Sequence, residues 1–139
     1  MKLWQKVNSI DSKVDSFTVG KDREYDLILA QYDCKASIAH ANMLAKVGLL
    51  TKDEAKKLTI ELKVIAQTVE NGTFSIPDSF EDMHSRIEFL LTEKLGALGK
   101  KIHTARSRND QVLVALHLYV KEEIQAIKKS TFSPFYLLL

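Results

Sequence analysis

The chain reads as all-α: a helical amino-terminal domain followed by the start of a long bundle helix. Three observations carry that expectation. Only two prolines and five glycines punctuate 139 residues, so helices meet few interruptions. Apolar residues recur at steps of three and four along most of the chain, the period of a helix with one buried face. No stretch alternates apolar and polar residues between turn pairs, so strand signals are poor. A domain of this length buries about 68% of its unfolded surface, enough for a real core.

The elements follow in order. Trp4, Val7, Ile10, Val14 and Phe17 lie at roughly helical spacing in a mixed, polar opening, read as an extended arm with a short helical piece. Asp22 to Val47 is expected as a helix with Ile28, Tyr32, Ala36, Ala39, Met43 and Val47 on one face, closed by Gly48 in a left-handed turn. Thr51 and Glu54 have the spacing of a capping box. Ala55, Leu58, Leu62, Ile65 and Val69 then mark the clearest helix, which Asn71-Gly72 ends. Phe74-Ser75-Ile76-Pro77 is a connection. Ser79, with Asp82 three residues on, is expected to cap the next helix, which runs to about Leu95 with Met83, Ile87, Leu90 and Leu91 inward. Gly96 and Gly99 bracket a short loop. Val112, Leu116, Tyr119, Val120, Ile124 and Ile127 mark a last helix, which Pro134 should kink or stop. The apolar ending Leu137-Leu138-Leu139 calls for cover, from a partner subunit or from further chain.

Composition excludes several classes. The 20 basic and 18 acidic residues give a net charge of +2, with no long basic block, which argues against nucleic-acid and membrane-surface partners. The lone Cys34 cannot form an internal bridge and suits a reducing cytoplasm. No apolar stretch follows the charges of the first residues, so no signal peptide is expected. Nothing approaches the roughly 20 apolar residues of a membrane span. Four scattered histidines and one cysteine give no zinc-ligand spacing, and phosphate loops and nucleophile elbows are absent.

The densest chemistry lies in His103-Thr104-Ala105-Arg106-Ser107-Arg108-Asn109-Asp110-Gln111. With Ser107 as N-cap and Asp110 as third helical residue, the unpaired amides of a helix start point outward over Ser107, Arg108 and Asn109. Partial positive charge there, with guanidinium forks from Arg106 or Arg108, suits a small polycarboxylate. Asn109 adds amide donors, Ser107 and Thr104 add hydroxyls, and His103 can orient or titrate near neutral pH. The competing reading is a solvated, capped loop that happens to be basic. Glu81-Asp82-Met83-His84 is a second constellation, from which Asp82 and His84 can reach a site; alternatively Asp82 only caps and His84 lies at the surface. His40 reads as a helix-interface residue, and His117 has no carboxylate partner nearby.

These residues resemble the argininosuccinate lyase family of the fumarase and aspartase superfamily. His103 to Val112 is similar to its HTGRSRNDQV signature, with alanine for glycine at position 105. Leu3-Trp4 resembles the family opening, Ala39-His40-Ala41 with Met43-Leu44 an AHA-x-ML stretch, Glu81 to His84 an ED-[IV]-H motif, and Gly99 to His103 a GKKLH lead-in. The resemblance spans nearly the whole chain. It implies an all-α protein that splits argininosuccinate into arginine and fumarate by β-elimination, with no metal or organic cofactor. It also implies a cytoplasmic homotetramer built on a helical bundle, with each active site assembled from three subunits. Residues 1–105 would form the amino-terminal helical domain, and residues 106–139 the signature loop with a truncated first bundle helix. Ser107, Arg108 and Asn109 would hold substrate carboxylates, with Arg106 and Thr104 in the same loop, and Asp82, His84 and Asp26 lining the site.

The same resemblance implies that no catalytic base lies within the chain. The threonine-histidine segment and the flexible GSS-x-MP loop of the family have no counterpart here, so the chain alone is expected to be inactive. Asp22 stands where a serine is usual, Ala115 where an aspartate is usual, and Pro134 where the long helix would continue. If position 105 needs positive φ, its alanine strains the loop. The alternative function is a non-catalytic helical oligomerisation or regulatory module on the same scaffold.

Overall fold

A computed structural model describes residues 17–18 and 20–137, with side chains described as far as residue 132. Trp4, Val7, Ile10 and Val14 of the expected arm lie outside the described residues; Phe17 is exposed. Among the described residues five helices follow: α1 (Asp22–Lys46), α2 (Lys52–Glu70), α3 (Met83–Leu95), the one-turn α4 (Ala97–Lys100) and α5 (Arg108–Leu137). A 3-10 turn, Lys101–His103, precedes the loop into α5. No strand occurs among the described residues, and no described helix is long and apolar enough to cross a membrane.

The first two helices form a hairpin. α1 ends at Lys46 with Val47 as its C-cap, and Gly48 turns left-handed at φ 81°, a conformation glycine adopts without steric cost. Thr51 then caps α2. Its hydroxyl accepts from the Glu54 amide at 3.2 Å while the Glu54 carboxylate accepts from the Thr51 amide at 2.8 Å, the reciprocal box its spacing predicts. Lys101 adds an ion pair to Glu54 at 2.6 Å, tying the 3-10 turn to the start of α2.

One apolar cluster joins Cys34, Ala41 and Leu44 of α1 to Leu58, Leu62 and Ile65 of α2, and takes in Ile87 and Leu91 of α3 and Ile102. Each fully buried leucine contributes about 2 kcal/mol by removing its side chain from water. A second cluster places Met83 against Ala30, Tyr32 and Ala115, so α5 docks on the other side of α1. There Tyr32 and Tyr119 meet edge-on at 5.7 Å. Ala115 is wholly buried at this contact.

Three expectations are corrected. The inward face of α1 is not the one the apolar spacing suggested: Ile28, Ala39, Met43 and Val47 are exposed, whereas Ala30, Asp33, Cys34, Ser37, Ala41 and Leu44 are buried beside Tyr32 and Ala36. Two polar residues in the true stripe hid it. The cap of α3 is Asp82 rather than Ser79. Its carboxylate accepts from the Ser85 amide at 2.7 Å, so the helix starts at Met83, three residues later than a Ser79 cap would set it. Finally, of the two outcomes expected at Pro134, a stop does not occur: α5 continues through it to Leu137.

Arg23 holds the long connection between α2 and α3. Its guanidinium donates to the Phe80 carbonyl at 3.0 Å and to the Asp78 carbonyl at 3.1 Å, and pairs with the Asp78 carboxylate. That fixes the approach to Asp82. Gly99 locks the following corner. A Cβ there would overlap the backbone of Leu91 and Thr92, so only glycine lets α4 close against α3.

Candidate functional site

Two helix starts face each other across the loop from Thr104 to Ser107. At the start of α5, Ser107 and Asp110 form a second capping box. The Asp110 carboxylate accepts from the Ser107 amide at 2.7 Å and its hydroxyl at 2.8 Å, and the Asp110 amide donates to Ser107 Oγ at 3.3 Å. These bonds hold the Asp110 carboxyl below its ordinary range. The N-cap assignment for Ser107 therefore stands. Helix geometry leaves the Arg108 and Asn109 amides without an intrahelical carbonyl, and Asn109 is exposed in this first turn.

The start of α3 answers it. Arg108 reaches across, donating to Ser85 Oγ at 3.1 Å and pairing through Nε with Asp82 Oδ2 at 3.4 Å. Asp82 thus caps α3 with one oxygen and holds the arginine with the other. Asp26 supports the same helix start: its carboxylate accepts from the Met83 amide at 2.9 Å. Burial raises the Asp26 carboxyl, opposed by that hydrogen bond and by the neighbouring His84. Asp26 and Asp82 therefore each commit an oxygen to ordering α3.

His84 is buried rather than at the surface, 2% exposed. Its Nδ1 lies 3.2 Å from Oδ1 of Asp33, which is also fully buried. The separation is that of an ion pair, while the alignment falls short of a hydrogen bond. One turn further along α1, Ser37 Oγ accepts from Arg106 at 3.0 Å. Partial burial lowers the Arg106 guanidinium from its ordinary value, and the Asp33 carboxylate works against that shift.

The two arginines of the loop thus diverge. Arg106 turns inward to α1, and Arg108 spans to α3. Each keeps a buried nitrogen without a partner among the described residues, Nε of Arg106 and Nη1 of Arg108. These are donors with unused capacity for an acidic group. Thr104 has an exposed side chain, and its carbonyl accepts from His40 Nε2 at 2.9 Å. Burial lowers the His40 imidazole. His40 therefore holds the loop rather than a helix interface. His103 is half-buried in the 3-10 turn, and His117 lies on α5 beside exposed apolar residues.

Sequence reasoning missed Asp33 and Ser37. Their signal is the spacing Asp26, Asp33, Ser37, His40 on α1, where each member touches or neighbours a residue of the two polar motifs. Ala105 carries the other local signature: φ is +59°, a left-handed conformation in a residue other than glycine.

By its architecture the described part is all-helical, with a cationic loop, braced on partly buried carboxylates, between two helix starts. Comparison with known proteins narrows the class. A family model described as lyase matches residues 10–131, and the chain belongs to that family. It is 47% identical over 138 residues to an argininosuccinate lyase of Bacteroides thetaiotaomicron, covering 99% of this chain and 31% of that protein. An argininosuccinate lyase of Parabacteroides distasonis is 52% identical over 126 residues, covering 91% and 28%. One of Thermotoga neapolitana is 51% identical over 127 residues, covering 91% and 32%. The chain spans about a third of the length of these curated relatives.

Proposed function

We propose that this chain supplies the carboxylate seat of an argininosuccinate lyase. In that reaction a Cβ proton leaves argininosuccinate, the Cα–N bond breaks, its electron pair departs with arginine, and fumarate forms. The observation that carries the reading is Arg108 at the head of α5, fixed by Asp82 and Ser85 and retaining a buried donor. A guanidinium beside two helix starts favours the negative charge that builds on the succinyl carboxylates as the proton leaves. Ser107, Asn109 and Thr104 complete the loop that meets substrate. Arg106, Asp26, Asp82 and His84 order it from behind or line it.

In this reading residues 1–105 form the helical domain that carries the α1 and α3 contributions, and residues 106–139 supply the loop and the first turns of a bundle helix. The base that takes the Cβ proton comes from regions outside this sequence, so the 139-residue chain does not turn over substrate alone. The setting is cytoplasmic arginine biosynthesis, or the urea cycle chemistry that uses the same step, in a homotetramer. Support for assembly comes from α5, on which Leu113, Leu116, Val120, Ile124 and Ile127 are all exposed. An apolar stripe of that length is normally covered.

The same stripe also favours a second reading, a non-catalytic association module. Calorimetric titration separates the two. The carboxylate seat predicts heat of binding for argininosuccinate or fumarate, lost in Arg108→Ala. An association module predicts self-assembly with no binding of either. Mixing the chain with a full-length argininosuccinate lyase disabled only in its HTGRSRNDQ loop should restore turnover if the seat is functional. Turnover by the chain alone would sink the claim that it lacks its base.

A further inference from the structure

Among the described residues Asp33 is the buried acid that the proposed function leaves without a task. It is fully buried, and neither carboxylate oxygen accepts a hydrogen bond among the described residues. A carboxylate removed from water without donors is unfavourable unless charge compensates it. Two residues with compensating chemistry approach it from different segments: His84 at the start of α3, with Nδ1 3.2 Å away, and Arg106 from the loop, which donates to Ser37 one turn along the same helix and feels the Asp33 charge. Asp33 is thus the common point behind both polar motifs.

We propose that Asp33 is a positioning residue, a buried counter-charge that fixes the His84 imidazole through Nδ1–H and holds Arg106 inward beneath the loop. The chemistry sets the tautomer. At 3.2 Å the lone pair of a bare Nδ1 and the carboxylate oxygen repel, whereas a proton on Nδ1 is attracted to that charge even short of hydrogen-bond alignment. With the proton on Nδ1 beside Asp33, Nε2, which is also buried and has no partner among the described residues, is left as the ring's acceptor. Holding Arg106 on α1 leaves Arg108 as the guanidinium that spans the two helix starts. This role for the substrate loop rests on the proposed function, but the placement of His84 and Arg106 does not.

The experiment uses the 139-residue chain labelled with 15N. Long-range imidazole spectra report which His84 nitrogen carries hydrogen, and the Arg106 Nε–H signal reports its shielding from solvent. The expected result is a protonated Nδ1 on His84 and a slowly exchanging Arg106 Nε–H. In Asp33→Asn the Nε2–H tautomer of His84 should gain population, and Arg106 Nε–H exchange should quicken about tenfold or more. A bare Nδ1 in the unmodified chain overturns the assignment, and this readout needs no variant to fold. A folded Asp33→Asn protein that keeps both signatures overturns it as well. Fumarate titrated into the same samples serves as the separate check on function. If it moves neither arginine signal in the unmodified chain, the carboxylate seat fails, while Asp33 is still decided by the ring and guanidinium spectra.

Discussion

Ala105 sits where its side chain is unwelcome. At φ +59° its Cβ approaches the following carbonyl, which costs about 1–2 kcal/mol relative to glycine in that region. Ala105→Gly should therefore raise stability by about 1 kcal/mol in thermal or urea unfolding, less whatever the added freedom of the unfolded chain takes back. A drop in stability would show that the loop does not hold this conformation. Glu54 gives a pH signature of opposite character. Lys101 first, and the Thr51 amide second, hold its carboxyl down at about 2 from an ordinary 4.5. A depressed acid stabilises fully above its unfolded value and loses that contribution as pH falls through the folded one. Glu54→Gln should thus be less stable than the unmodified chain at pH 7, and the gap should close between about pH 4.5 and 2. Added salt should narrow the gap, since both groups are partly exposed. Residue chemistry of this local kind is legible in the sequence where the spacing precedes a clear apolar period: Thr51 with Glu54 and Ser107 with Asp110 form their boxes, whereas Ser79 with Asp82 has the same spacing and the cap falls on Asp82. The strain at position 105 could be anticipated only as a condition, because φ is a property of the folded loop.

Among the elements, α2 was the most readable and α1 the least. The apolar period of α2 runs unbroken from Ala55 to Ile65, and those residues are buried. In α1 the apolar series from Ile28 to Val47 shares only Tyr32 and Ala36 with the real inward stripe, whose Asp33 and Ser37 look like surface residues in any hydropathy count. Their burial follows from His84 and Arg106, which lie about 50 and 70 positions away, so no local pattern contains it. The site was legible in parts for the same reason. The loop and Asp82 announce themselves, whereas the support beneath them is tertiary. At the corner between α3 and α4, Gly99→Ala should destabilise by about 1–3 kcal/mol or more, because backbone atoms of Leu91 and Thr92 stand where the methyl group would go. Chemical denaturation would measure it. A neutral result would mean that α4 is free to move away from α3.

On the scale of the whole molecule, α5 divides at about Tyr119. Gln111 and Ala115 are buried and Leu118 and Tyr119 half-buried against the helical domain, whereas residues 120 to 132 are exposed throughout. Hydrogen exchange should follow that division. Amides from Gln111 to Tyr119 should be protected with the core, and those from Val120 to Phe132 should exchange early in dilute protein. If copies of the chain cover the stripe, protection beyond Val120 should rise with concentration while α2 is unaffected. Uniform protection at every concentration would contradict the division. Cys34 offers a view of the opposite extreme. Burial, with the Asp33 carboxylate beside it, pushes its thiol up to about 12, so the reactive thiolate is scarce and out of reach at neutral pH. Because the chain has one cysteine, every labelling event has the same address. The rate at which a thiol reagent consumes it therefore clocks the parting of α1 from α2, a stopwatch wound into the core beside the carboxylate that steadies the loop.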